Sequence, residues 1–191
     1  MSTITVKNGI DVHQLVETIN AISEDPTVGA FTFRAKSSWK GGTHNLGEIA
    51  GFSHAGSDDQ SRTAPFVLEG DEPPVLLGDN KGPNAVELLL QGLAFCYAVG
   101  LVANASARGI EITRMDCEIQ GDLDVRPFLG LDGPRPGFTR IRAKSWVSSP
   151  NATHEQLEEL YRYVQDTSPV RDCLVNPVPV ETTLEVVRSE G

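Results

Sequence analysis

"ELLLQGLAFCYAVGLVANASARG" occupies residues 87–109, and its reading decides the fold. Val86, Leu89, Leu90, Leu93, Tyr97 and Leu101 recur at helical spacing, while Gly92, Ala94, Ala98, Gly100 and Ala103 fill the other faces. A helix apolar nearly all round is a buried one. Its small residues let neighbours approach closely. The pattern therefore predicts a helix in the middle of the fold, against a sheet or a second copy of itself. Asn84, just upstream in "GDNKGPNAVE", suits an N-cap. Glu87, Gln91 and Asn104 interrupt the apolar run, so a core helix is expected and not a membrane span.

Downstream, "IEITRMDCEIQGDLDV" (110–125) alternates, with Met115, Cys117, Ile119, Leu123 and Val125 on one face. That is a half-buried strand. "FTRIRAKSWVS" (138–148) reads as another, with Ile141, Ala143 and Val147 on one side. Thr153 and Gln156 have capping-box spacing and open a helix with Leu157, Leu160, Tyr161 and Val164 on one stripe. "TSPV" (167–170) ends it, because the residue before proline resists helical geometry. "VPVETTLEVV" (178–187) reads as a closing strand.

Upstream, Asp11 suits the cap of a helix carrying Val12, Leu15, Val16, Ile19 and Ile22, ending near "SEDP". "GAFTFRAKSSW" (29–39) reads as a strand, "KGGTHN" (40–45) as a turn and "LGEIAGF" (46–52) as the returning arm. Residues 53–64 look like a polar loop, "PFVLEG" like a third strand, and 71–84 irregular. The order predicts an α+β fold with helices packed on an antiparallel sheet. Residues 1–24 form an N-terminal helical extension and 25–191 a single domain.

Composition narrows the function. A net charge of −10 argues against nucleic acid and anionic membranes, whose phosphates need a cationic surface. The N-terminus lacks the basic and apolar blocks of a signal peptide. Cys96, Cys117 and Cys173 are too few and too scattered for a disulfide framework, so a reducing cytoplasm is expected. His13, His44, His54 and His154 have no metal-site spacing, and no P-loop, nucleophile elbow or dinucleotide fingerprint occurs. Neither metal nor cofactor is expected.

Cys96 is the first chemical candidate. The ordinary reading of such a cysteine is packing as a small hydrophobe. A reactive thiol instead needs a cation or a helix N-terminus nearby, and Cys96 lies too far along its own helix for that helix's dipole to help. Cys117, on the apolar face of its strand, reads as structural. Glu87 suits a first-turn carboxylate facing the positive helix end. Nine residues of regular helix turn through about 900°, so Glu87 and Cys96 face opposite sides. They share a site only if the helix starts after Glu87, bends, or meets a loop from elsewhere.

The segment "GPNAVELLLQGLAFCYAVGLVANASARGIEI" (82–112) resembles the central helix of the OsmC/Ohr proteins, osmotically inducible and organic-hydroperoxide-resistance proteins. "SSWKGG" (37–42) is similar to that family's N-terminal hairpin, and "DTSPVRDCLVNPVPVETTLEV" (166–186) to its Cys-Pro-Val segment and closing strand. The resemblance spans roughly residues 30–188. It implies an intertwined homodimer, with two central helices enclosed by wrapped antiparallel sheets and active sites at the interface. It also implies reduction of organic hydroperoxides by a peroxidatic cysteine, a resolving cysteine and a thiol reductant, with Arg and Glu polarising the site. Cys96 matches the peroxidatic cysteine. Glu87 matches the carboxylate in one variant of the helix motif; in another, the slot falls on Val86. Ser168 stands in the resolving-cysteine slot, where a hydroxyl cannot form a disulfide, and Cys173 follows five positions later. After the hairpin glycines, where the family has arginine, His44 is the nearest cation-capable residue. The alternative is a non-catalytic module of the same fold that binds an apolar small molecule at the dimer interface.

Overall fold

The computed structural model describes residues 5–187. Strands β1 (Val6–Lys7) and β2 (Ile10–Asp11) pair antiparallel and lead into helix α1 (Val12–Glu24). Asp11 caps α1, its carboxylate accepting the N–H groups of His13 and Gln14 at 3.0 and 3.1 Å. Six short strands follow: β3 (Phe31–Phe33), β4 (Lys36–Gly41), β5 (His44–Ile49), β6 (Phe52–His54), β7 (Ser57–Asp58) and β8 (Phe66–Gly70). They form two antiparallel sheets, ordered β3-β6-β7 and β4-β5-β8.

The hairpin turn falls at Gly41 and Gly42, whose φ angles of 115° and 56° suit glycine. Two expectations change here. Residues 29–39 are not one strand: β3 pairs with β6 and β4 with β5, so the segment divides between two sheets at Arg34 and Ala35. Alternation reports which face a side chain takes, not which neighbour its backbone finds. Residues 53–64 are not wholly loop. Ala55 and Gly56, at φ 48° and 77°, turn the chain so that β6 pairs with β7. Positive φ at both turn residues matches the twist of a tight hairpin.

The irregular segment 71–84 is organised by Asp71, which is buried. Its carboxylate accepts Thr43 Oγ1 at 2.6 Å and the N–H groups of Glu72, Asp79 and Lys81 at 2.9, 3.0 and 3.2 Å. The Thr43 hydrogen bond foremost, with the backbone donors, holds this carboxyl far below its usual 3.8. A depressed folded-state pKa adds stability above the ordinary value and loses it as the pH falls below that value. Asp71→Asn should therefore lower the urea midpoint at neutral pH. It should also flatten the loss of stability of the native chain between about pH 4 and about pH 2. A native chain with no acid-dependent midpoint in that window would contradict the assignment.

The second half holds the core. Helix α2 (Ala85–Ala107) is followed by β9 (Arg114–Asp122), β10 (Arg140–Ser148), α3 (His154–Thr167) and α4 (Pro169–Val175). β9 and β10 pair antiparallel along their whole length. Met115, Cys117 and Ile119 turn inward from β9 as the alternation predicts, but Leu123 and Val125 lie beyond its end. Asn84 and Glu87 form a capping box on α2, Thr153 and Gln156 another on α3. Leu93, Tyr97, Leu101 and Ala105, one helical turn apart, are sealed against Leu160 and Val164 of α3. Gly100 makes this possible, since a Cβ there would lie 3.0 Å from Val164 Cγ1. By length and composition α2 could cross a membrane, and one stripe of it packs on α3 and β9.

Two further expectations are corrected. "TSPV" ends α3, but the chain at once begins α4, with Ser168 extended as its cap and Pro169 in the first turn, where a missing N–H costs nothing. Residues 178–187 form no strand. Val178, Val180, Leu184 and Val186 are exposed, because a strand exists only by pairing and among the described residues no sheet edge pairs with them.

The opposite face of α2 is also open. Leu88, Phe95 and Val99 lie on it, Phe95 and Val99 being 64% and 69% exposed. The chain as a whole exposes 13986 Å². A compact chain of 20.6 kDa exposes about 8,900 Å² by surface-to-mass scaling. Much apolar surface that folding usually buries thus stays open in one chain.

Candidate functional site

Successive helical residues project about 100° apart. Cys96 therefore stands at the border of α2's two faces, between exposed Phe95 and buried Tyr97. Its Sγ lies 3.1 Å from Ser168 Oγ, joining positions 72 residues apart. Ser168 is buried, and its Oγ accepts the Arg171 N–H at 3.2 Å in capping α4. A serine hydroxyl carries one proton and two acceptor sites. The cap occupies an acceptor, which leaves the proton free to point at Sγ. A thiolate there would accept a charge-assisted hydrogen bond, about 1.5–3 kcal/mol in favourable cases.

The aromatic shell adjoins this pair. Tyr97 meets Tyr161 edge-on, ring centroids 5.8 Å apart. Burial, and then Tyr161, raises the Tyr97 hydroxyl above its usual 10.0, with Arg171 opposing. Tyr161 OH lies 2.7 Å from Ser145 Oγ, which donates to Cys117 Sγ at 3.3 Å. Cys117 is thus a hydrogen-bonded thiol on the inner face of β9. The Ser145–Tyr161 link was not legible, since no local spacing relates a strand serine to a helix tyrosine.

The other sequence candidates lie apart from Cys96 within one chain. α2 starts at Ala85, so Glu87 sits inside the regular helix and faces away from Cys96. Its Oε2 accepts the Asn84 N–H at 2.8 Å. Glu87 lines a cavity of about 540 Å³ together with Cys117. His44 opens β5 on the hairpin, its Nε2 buried without a hydrogen-bond partner and 3.7 Å from Glu69 Oε2. Among the described residues, no hydrogen bond or ion pair joins an Arg, Lys or His to the Cys96 sulfur. Cys173, five positions after Ser168, is exposed and lines a different cavity, and all three cysteines are free thiols. No cluster of three or more His, Cys, Asp or Glu is placed to hold a metal among the described residues.

Comparison with known proteins gives a consistent answer. A family model described as OsmC-like protein matches residues 78–183. No curated sequence matches. Among solved structures, an OsmC-like protein from Mycoplasma pneumoniae is similar with a TM-score of 0.55 at 20% identity, over 78% of this chain and 89% of that one. An osmotic stress induced and detoxification response protein from Psychrobacter arcticus gives 0.54 at 15%, over 75% and 88%. An organic hydroperoxide resistance protein OsmC from Legionella pneumophila gives 0.51 at 17%, over 75% and 88%. At these identities the likeness is one of fold: α+β, antiparallel sheets and a central helix.

Proposed function

The chain belongs to the OsmC-like family, and from that premise we propose that it reduces or senses organic hydroperoxides through Cys96, in defence against oxidative stress. The observation that carries the reading is the 3.1 Å contact between Cys96 Sγ and Ser168 Oγ. It sets a hydroxyl able to donate to a Cys96 thiolate at the position where the family resemblance expects the resolving cysteine. The Legionella neighbour's name, an organic hydroperoxide resistance protein, is in keeping with it.

In this reading the Cys96 thiolate attacks the terminal oxygen of R–O–O–H. An S–O bond forms and the O–O bond breaks. The leaving alkoxide takes a proton to become an alcohol, and Cys96 becomes a sulfenic acid. Ser168 cannot close a disulfide. Cys173 lines a cavity that Cys96 does not, so an outside thiol is the better reductant. One equivalent forms a mixed disulfide with loss of water, and a second releases Cys96. Free thiols at all three cysteines suit a reducing compartment such as the cytoplasm. The open face of α2 and the excess exposed surface support a homodimer. Within one chain neither His44 nor Glu87 reaches the thiol, so polarising groups of that kind would come from the second copy.

The test is direct. The reduced protein is exposed to one equivalent of cumene hydroperoxide, and oxidation is mapped by mass spectrometry. Cys96 should carry the oxygen or its trapping adduct before Cys117 or Cys173, with cumyl alcohol formed in equal amount. An unmodified Cys96 with intact peroxide would end the reading. One observation favours a non-catalytic module instead: among the described residues, no cation is hydrogen-bonded or ion-paired to the sulfur. For that alternative, native mass spectrometry should find one apolar ligand per chain and no peroxide turnover.

A further inference from the structure

We propose that the open cavity between α2, β10 and α4 binds an organic anion with an apolar body, an alkyl or aryl carboxylate, at a site that neither Cys96 nor Ser168 lines. The cavity measures about 600 Å³. That lies within the roughly 300–1,000 Å³ typical of small-molecule sites. Its floor is apolar, with Leu93 from α2, Ile141 from β10 and Leu174 from α4.

Charge sets the ligand class. Arg135, Arg140 and Arg171 all line this cavity, and among the described residues no Asp or Glu does. The chain carries 26 acidic residues against 16 basic ones, so three arginines lining one cavity run against its overall charge. Arg135 and Arg140 form no ion pair among the described residues, and the carboxylate beside Arg171, that of Asp166, stands at 4.0 Å. Guanidinium groups match carboxylates with paired, charge-assisted hydrogen bonds. A small inorganic anion would leave the apolar floor unused. A neutral apolar molecule would give Arg135 and Arg140 no charged partner inside the cavity. A carboxylate on a hydrocarbon body meets both demands.

Cys173, on the cavity wall, provides a readout that needs no activity. Because Cys96 does not line the cavity, failure of this proposal leaves the thiol reading intact, and the converse holds. Calorimetry with decanoate should give one site per chain, at least about tenfold tighter than 1-decanol, a difference of about 1.4 kcal/mol. Decylamine should not bind. The Arg135→Gln, Arg140→Gln double variant, checked for an unchanged melting curve, should lose about tenfold in decanoate affinity. In the native chain, decanoate should slow alkylation of Cys173 by N-ethylmaleimide while leaving Cys96 alkylation unchanged. Equal affinity for decanoate and decanol, or alkylation of Cys173 at the same rate with and without decanoate, would overturn the proposal.

Discussion

Ser168→Cys should turn oxidation of Cys96 from a sulfenic acid into an intrachain disulfide. The two side-chain atoms already stand 3.1 Å apart, and an S–S bond of about 2.05 Å needs a shift of roughly one ångström. After one equivalent of cumene hydroperoxide, the native chain should give a dimedone adduct at Cys96. The variant should give no adduct, a loss of two hydrogens, and a disulfide-linked peptide joining positions 96 and 168. That link closes a long loop, for which chain entropy predicts about 4 kcal/mol of stabilisation. The oxidised variant should then melt roughly 10 °C above its reduced form. Cys96→Ser should abolish adduct, disulfide and peroxide consumption alike. Ser168→Ala, which keeps the sulfur but removes its proton donor, should slow Cys96 oxidation by about 10- to 100-fold if the hydrogen bond contributes about 1.5–3 kcal/mol. A folded Ser168→Cys variant that accumulates sulfenic acid without closing the bond would contradict the placement of this pair.

Phe95→Asp should break the proposed dimer. The wild-type chain should sediment at twice its 20.6 kDa mass. Phe95 and Val99 stand open on the face of α2 that turns away from its own core, so a second copy is the natural cover for them. A carboxylate buried there without a partner costs several kcal/mol. About 3 kcal/mol corresponds to a dissociation constant raised by roughly two orders of magnitude. Sedimentation across a dilution series should show the variant as monomer at concentrations where the wild type stays paired. A variant that dimerises as tightly as the wild type would move the interface elsewhere. If polarising groups come from the second copy, the variant should also lose its Cys96 oxidation rate while the Cys96–Ser168 contact persists within each chain.

These expectations rest unequally on sequence and structure. The caps were legible because they are local: Asp11, Asn84 and Thr153 each bond to an N–H two or three residues away. The inward face of β9 was legible because alternation has a fixed period. Residues 29–39 misled because the same alternation serves two sheets. Residues 178–187 misled because an alternating apolar stretch becomes a strand only where an edge is free to receive it. α4 was passed over because the proline that ends one helix also suits the first turn of the next.

By itself the sequence determined the buried stripe of α2, its caps, the antiparallel pair after it and the family to which the whole belongs. The stripe, the caps and the strand pair follow from short-range hydrogen bonds and the fixed periods of helix and strand, and the family from the resemblance of residues 82–112 and the family-model match. The tertiary structure alone decided that Cys96 meets Ser168 across 72 positions, that Glu87 lines Cys117's cavity and faces away from Cys96, and that three arginines line one cavity with Leu93, Ile141 and Leu174. Each of those depends on how α2, β10, α3 and α4 pack, and no local pattern encodes distances between elements far apart in the chain.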